Sequence, residues 1–455
     1  MEEKNGKLQK ILQTRDIIAL AFGAAIGWAW VVLSGDWLMT GGTLGAILGF
    51  VIGGVMVLFV GMTYSELCPA MPKCGGEHIF SLRALSYNWS FVCSWALTLS
   101  YLGVVAFEAC SLPAVLSHLV PQMYTGYAYT VAGMDIYIPF IIVGVAGAAL
   151  LTWVNYVGIK FASWLQQALT AVILCVGLLM IVASVTDGDV ERVKPLFADG
   201  TKGMLSIAVI TPFFMVGFDV IPQTAEECDI EPHKLGRLMM MSILMAAGWY
   251  CLIIYCVSTL MTHEQILASE LSTADALVGA WNGNTIARYI VVLGGMAGIL
   301  TSWNAFLAAG SRVLLSMGES GMLPVWFTKV HPKYNTPSNA VLFIGGASMI
   351  APFFGKQLLT WITNAASFST VIAYCLVAVS FLVLRKKEPE MVRPYKVKNG
   401  ILVGAIAVVL ALGMLMLYLP GMPSGLGRPE WIIVAIWTVL GVGMHIAARN
   451  WESKR

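Results

Sequence analysis

Long apolar runs constrain this chain more than any other feature. About 17–25 predominantly apolar residues cross the hydrocarbon core of a bilayer, and 58% of the 455 residues are hydrophobic while only 11% are charged. We therefore expect an all-α integral membrane protein with twelve transmembrane helices. The expected spans are 16–34, 42–64, 90–118, 136–155, 162–185, 204–222, 237–261, 286–317, 338–354, 358–384, 400–419 and 430–448.

The basic residues predict the orientation. An even number of spans places both termini on one side of the membrane. The two termini and the loops on that side together contain 21 of the 27 Lys and Arg residues. The positive-inside rule then predicts cytoplasmic tails at 1–15 and 449–455 and a multi-pass protein of the plasma (inner) membrane. The first apolar run leads into glycines without a cleavage site, so we expect it to be retained as a span.

Two of the runs are interrupted. Pro212 removes a backbone donor in the sixth run, and Gly217 and Asp219 follow it. In the first run, Gly23 and Gly27 weaken the helix. A broken helix survives in hydrocarbon only where its free peptide groups face protein, a cavity or a ligand. Breaks at corresponding places in two halves predict the midplane binding site of a secondary transporter, although glycines alone also serve close helix packing.

An ionisable residue lies well inside the third span. Glu108 occurs in the apolar sequence YLGVVAFEACSLP. An intramembrane carboxylate of this kind titrates, binds a cation or pairs with a base, and so marks a functional site. The alternative is a neutral glutamic acid that bridges two helices through hydrogen bonds.

Several signatures carry a family resemblance. YSELCPAMPKCGGEH begins at Tyr64, NYVGIKFASWLQQALT at Asn155 and EECDIEPHKLGR at Glu226. The two most specific are SRVLLSMGESGMLPVWFTKVHPKYNTPSNA from Ser311 and LVLRKKEPEMVRPYKV from Leu382. Together they resemble the permeases of the amino acid/polyamine/organocation superfamily, bacterial amino acid permease type, over essentially the whole chain.

The resemblance implies a fold and a function. It implies the LeuT-type 5+5 inverted repeat plus two C-terminal helices, with spans one and six broken. Residues 16–185 would form the first repeat, 186–384 the second and 385–448 the last two spans. Such proteins move an amino acid across the membrane by alternating access, either coupled to protons or by exchange.

The resemblance also implies site residues. Phe213 stands where the arginine/agmatine antiporter has its gating tryptophan, and Asp219 matches an acidic position of the same protein. Glu108, Asp219 and Phe213 are thus the candidates for coupling or gating. The implied substrate-binding residues are Ala25, Ile26, Gly27, Trp28, Ala29, Phe213, Phe214, Met215, Val216 and Gly217.

The chain departs from the family pattern at two places. Trp28 and Ala29 stand where a small residue followed by glycine is usual, so a tryptophan ring would narrow the site or face a cation. This leaves open a permease for an amine or polyamine. Ile173 replaces the lysine of proton-coupled relatives, so a proton-linked mechanism would run through Glu108 or Asp219, with sodium coupling the less favoured choice.

Other classes of function find less support. No nucleophile with a base and no metal-ligand spacing occurs, since His263-Glu264 lacks a second histidine. We expect no enzyme activity, no cofactor, no metal and no nucleic-acid partner. Membrane lipid is an expected partner, and so are protons if transport is proton-coupled. A channel or a non-transporting sensor of the same fold is the better rival. Whether the protein is a monomer or a homo-oligomer is left open.

Overall fold

The computed structural model describes residues 8–131, 133–422 and 425–452. Its helices are α1 (Thr14–Ala25), α2 (Ala29–Val32), α3 (Ser34–Ala70), α4 (Glu77–Ala84), α5 (Tyr87–Leu116), α6 (Ile138–Val157), α7 (Ile159–Thr186), α8 (Gly200–Phe214), α9 (Val220–Gln223), α10 (Pro232–Leu260), α11 (His263–Leu267), α12 (Ser272–Ala280), α13 (Ile286–Glu319), α14 (Ser338–Ile350), α15 (Gly355–Lys387), α16 (Gly400–Leu417) and α17 (Arg428–Glu452).

Nine helices in the described part of the chain are long and apolar enough to cross a membrane. They are α3, α5, α6, α7, α10, α13, α15, α16 and α17. Each coincides with an expected span, and the expected span 338–354 is a shorter apolar helix, α14, extended by a 3₁₀ turn at Ala351–Phe354. The mostly helical membrane architecture is therefore confirmed.

The first and sixth expected spans are each split into two short helices. Residues 16–34 are divided between α1 and α2, and residues 204–222 between α8 and α9. Neither pair is a continuous helix of spanning length, because a non-helical stretch separates its members. The interruptions predicted from glycine and proline are therefore present in the structure.

The bundle has a buried centre and a lipid-accessible periphery. In α13, 78% of an 18-residue apolar segment is buried, against 28% in α16 and 17% in α17. Helix α13 packs against α1 and α9, one member of each broken span. The two C-terminal helices, α16 and α17, expose most of their apolar surface. Apolar surface is stable in that position only against lipid or another protein.

One element does not appear among the sequence expectations. Strands β1 (Tyr127–Val131) and β2 (Met134–Tyr137) form an antiparallel hairpin between α5 and α6. The buried side chain of Ile136 anchors it to the bundle. The hairpin is an addition to the expected helical fold. The expected span 136–155 overlaps β2 at its first two residues, and helix α6 begins only at Ile138.

Two of the family signatures meet in space. The buried carboxylate of Glu66 accepts hydrogen bonds from Nε of Arg385 at 2.8 Å and from the backbone N–H of Val397 at 2.8 Å. Nε of Arg393 lies 2.9 Å from the same carboxylate. A buried carboxylate is stable when it is paired and hydrogen-bonded in this way. The pairing fixes the end of α3 to the end of α15.

Candidate functional site

The first helix break exposes backbone donors. Helix α1 ends at Ala25, whose carbonyl oxygen accepts a hydrogen bond from the Tyr250 hydroxyl at 2.9 Å. The chain is non-helical until α2 begins at Ala29. Within the described residues, the N–H groups of Gly27 and Trp28 have no hydrogen-bond acceptor. Free N–H groups of this kind attract anions such as a carboxylate.

The second break lies directly against the first. Gly217 has a φ of +150°, and a Cβ at this position would lie 2.7 Å from the backbone nitrogen of Ala25. Only glycine allows this close approach. The carboxylate of Asp219 accepts a hydrogen bond from the Gly217 N–H at 2.8 Å and another from the Tyr101 hydroxyl at 3.0 Å. The buried Asp219 carboxylate thus satisfies the free N–H of Gly217 at the break and joins it to Tyr101 of α5.

A cavity of about 560 Å³ opens between the two breaks. This volume lies in the range of small-molecule sites. Eight of the residues singled out in the sequence line it: Ala25, Gly27, Trp28, Ala29, Glu108, Phe213, Phe214 and Val216. Four others, Ile26, Met215, Gly217 and Asp219, are buried in the protein and do not line this cavity.

Glu108 lies beside the unwound backbone of the first break. Its Oε1 would be 3.1 Å from a Cβ placed on Gly27, and the residue is only 2% exposed. Its Oε2 is buried and has no hydrogen-bond partner in the described part of the chain. A buried acceptor that the protein leaves unused is available to a proton or to a cationic group of a ligand.

Aromatic rings form part of the cavity wall. Trp28 is 6% exposed and its ring packs on α13 at Gly295, where any side chain would overlap it. Phe213 is half-buried, and its ring centroid lies 5.4 Å from that of Phe214. Phe214 in turn packs edge-on against Trp37 at 5.2 Å. Phe214 is therefore held between Phe213 and Trp37 in the cavity wall, and Phe213 is the more loosely packed of the two phenylalanines that line the cavity.

Sequence reasoning missed a polar part of the wall. Thr363, Asn364 and Ser367 lie on α15 at i, i+1 and i+4 and line the same cavity, as does Tyr418. Thr363 and Ser367, at i and i+4, are neighbours on one face of the helix, and Asn364, at i+1, lies about 100° around the axis from Thr363. The signal was present in the sequence TNAAS within the apolar span 358–384.

The charge of the site is one-sided. None of the described residues that line the cavity is Lys, Arg or His, and Glu108 is the carboxylic acid among them. Ile173, the position at which the family resemblance implied a lysine, is an apolar buried residue of α7. The cavity therefore combines free backbone N–H groups with an uncompensated acid, a pattern that suits a ligand carrying both a carboxylate and an amine.

An apolar helical bundle with two interrupted helices around a small-molecule cavity is the architecture of a membrane transporter. A family model described as amino acid permease matches residues 12–443. The chain belongs to this family and so to the amino acid/polyamine/organocation superfamily. Its similar proteins are transporters and not enzymes.

Three relatives illustrate the range of the family. The chain is 25% identical to the branched-chain amino acid permease BcaP of Bacillus subtilis (strain 168), over 98% of this chain and 94% of that protein. It is 25% identical to the methylthioribose transporter of the same organism, over 97% and 93% of the two chains. It is 26% identical to the vacuolar cationic amino acid transporter 8 of Arabidopsis thaliana, over 84% of this chain and 64% of that protein.

Proposed function

We propose that this protein is a secondary active transporter that moves an α-amino acid across the membrane by alternating access. The observation that carries the proposal is the contact between the two helix breaks, with a cavity of about 560 Å³ beside them. Discontinuous helices place peptide groups and helix ends at a substrate in this way. Amino acid permease relatives support an amino acid as the substrate.

Each end of a zwitterion has a complementary group in the proposed site. The free N–H groups at Gly27 and Trp28 would receive the substrate carboxylate, and Glu108 lies close to them to attract the ammonium group. Phe213 at the cavity edge would cover the substrate and exclude water during the conformational change. Trp28 would shape the site from the α13 side.

We propose the membrane arrangement that the sequence predicts. Twelve crossing segments, two of them broken, would form two inverted repeats at 16–185 and 186–384, followed by two peripheral spans. Both termini would lie in the cytoplasm of a plasma-membrane protein, as the distribution of Lys and Arg favours. The breaks in spans one and six, five spans apart, support the repeat.

Coupling is proposed to involve protons or exchange. Without a basic residue at Ile173, the candidates to carry a proton are Glu108 and Asp219. Glu108 is the better placed of the two, because it lines the cavity and has an unused oxygen atom, whereas both oxygens of Asp219 hold the second break together.

Uptake by purified protein in sealed proteoliposomes tests the proposal. Radiolabelled amino acids are offered with and without an imposed proton gradient, and vesicles preloaded with unlabelled substrate measure counterflow. We expect saturable uptake of an amino acid and stimulation by internal substrate. Uptake of amines alone would favour the organocation alternative, and binding without flux would favour a sensor.

A further inference from the structure

A buried acid lies behind the polar part of the cavity wall. Glu430 belongs to the first turn of the peripheral helix α17 and is only 7% exposed. It contacts α15, since its Oε1 accepts a hydrogen bond from Nδ2 of Asn364 at 3.1 Å. The nearby Ser367 and Tyr418 also line the cavity. The last helix thus reaches the wall of the substrate cavity through one carboxylate.

This bond fixes the direction of the Asn364 amide. A carboxylate only accepts hydrogen bonds when ionised, so the NH₂ group must face Glu430 and the carbonyl Oδ1 must face away from it. No described group donates to that oxygen atom. The neighbouring Thr363 hydroxyl is buried and has no partner in the described chain either. Thr363 and Asn364 both line the cavity, so this wall holds polar atoms that the described protein leaves without a partner.

Glu430 has no basic side chain as a partner among the described residues. None of the ion pairs among the described residues includes it, and Arg428, two residues earlier, is exposed. No described lining residue is basic. A cavity with an acid behind its wall, acceptors on that wall and no cation of its own favours a positively charged occupant.

We propose that Thr363, Asn364 and Glu430 form a subsite for the far end of the substrate side chain. It would select α-amino acids whose side chain ends in an ammonium or guanidinium group. Asn364 would accept a hydrogen bond from that group, and Glu430 would both orient Asn364 and supply the negative field. This inference rests on the proposed function, because it assumes that the α-amino and carboxyl groups bind at the helix breaks.

The experiment compares ligands that differ at that end alone. L-Lysine and L-norleucine share their chain length, and only lysine has the terminal amine, while L-glutamine has a neutral donor. Binding of radiolabelled L-lysine, its competition by unlabelled L-norleucine and L-glutamine, and uptake of each amino acid into proteoliposomes are measured for the wild type, Asn364→Leu and Glu430→Gln. Thr360→Val, an exposed position of the same helix, is the control. Thermal melting of each variant checks that it is folded.

The wild type should prefer lysine to norleucine. Asn364→Leu should reduce the preference for lysine over norleucine by about tenfold or more, because the oriented acceptor is lost. For the same reason it should remove any preference for glutamine over norleucine. Glu430→Gln should reduce the lysine preference alone, since a glutamine carbonyl still accepts from Asn364 and only the charge is removed. Thr360→Val should behave as the wild type.

Two results would overturn the subsite. One is a wild type that transports norleucine as well as lysine, and the other is an unchanged lysine-to-norleucine ratio in both folded variants. In either case, transport of an α-amino acid would leave the proposed function standing. A wild type that neither binds nor transports any amino acid would overturn the function together with the subsite.

Discussion

Arg312 of α13 and Glu227, just beyond α9, form an ion pair that is closed off from solvent. Nε of Arg312 lies 2.8 Å from Oε1 of Glu227, and each side chain is 1% exposed. The backbone carbonyl of Glu227 also accepts hydrogen bonds from the N–H groups of Ile11 and Leu12, both at 2.9 Å. One residue therefore ties the segment before α1 and the segment after α9 to the central helix.

This ion pair should contribute strongly to stability. Arg312→Met leaves the Glu227 carboxylate buried without a partner, and such a loss costs about 3–5 kcal/mol. We expect a clearly lower melting temperature of the purified protein. The double variant Glu227→Leu/Arg312→Met should recover part of it, because both charges are then removed. A double variant no more stable than Arg312→Met would contradict the assignment of the loss to an unpaired charge.

Phe213→Ala tests the gate. An aromatic contact contributes about 0.5–1.5 kcal/mol beyond its buried area, so we expect uptake to fall about two- to thirteenfold while membrane insertion stays near normal. Phe161→Ala, which removes an exposed ring on α7, is the matched control. If Phe213→Ala transports as well as the control, Phe213 is not a gate.

Substitutions at Trp28 distinguish a ring that faces the substrate from one that only packs. A cation–π contact is worth about 0.5–2 kcal/mol, so affinity should fall modestly in Trp28→Phe and further in Trp28→Leu. Competition binding gives the three dissociation constants directly. Equal constants would mean that Trp28 serves only to pack against Gly295, since leucine has no ring face to offer a cation.

Much of this architecture follows from local sequence alone. Spans are recognised because each contains its own apolar run, and the breaks are recognised because Pro212 and Gly217 act on the helix that contains them. Eight of the residues singled out in the sequence line the cavity, and all of them except Glu108 on α5 lie next to those breaks in the chain. Their role in binding stays a prediction. Asp219 looked like a coupling acid in the sequence, but its hydrogen bond to Gly217 reveals a second use, holding the break.

Contacts between distant residues could not be predicted in this way. Asn364 and Glu430 are 66 positions apart, and Glu66 and Arg385 are 319 positions apart. Their pairing depends on which helices become neighbours. The pattern of residues within a single sequence does not show which helices pack against each other. The acceptors at Thr363 and Asn364 were visible as polar residues in an apolar span, yet their orientation required the position of Glu430.

His78 of α4 predicts a pH dependence of stability. Among the described residues its ring nitrogens contact only hydroxyl groups: Nδ1 lies 3.0 Å from Ser94 and 3.1 Å from Ser90, and Nε2 lies 2.8 Å from Ser320. Burial lowers the pKa of His78 to about 4. The unfolded chain, with a histidine pKa near 6.5, therefore binds the proton more readily than the folded one. This contribution is complete above pH 6.5 and is lost as the pH falls towards 4.

The melting temperature between pH 7 and pH 4 tests this. Between pH 7 and pH 4, the free energy of unfolding of the wild type should fall by up to about 3 kcal/mol more than that of His78→Gln, because glutamine does not titrate. Burial raises the pKa of the neighbouring Glu77. Its effect on stability as the pH falls is therefore opposite to that of His78, but Glu77 is present in both proteins and its effect cancels in the comparison. Parallel curves for the two proteins would show that His78 makes no contribution in this range.

The final prediction separates the two candidate coupling acids. Glu108 lines the cavity and has an unused oxygen, so Glu108→Gln should fold normally and flatten the pH dependence of uptake. Asp219→Asn should instead lower the melting temperature, since an amide NH₂ would meet the Gly217 N–H or the Tyr101 hydroxyl where a carboxylate oxygen accepted before. Transport is measured across pH, with and without an imposed proton gradient, and Glu264→Gln, an exposed acid, is the control. If both site variants keep the pH profile of the control and respond to the gradient as before, neither residue carries the proton, and exchange without proton coupling becomes the mechanism to test.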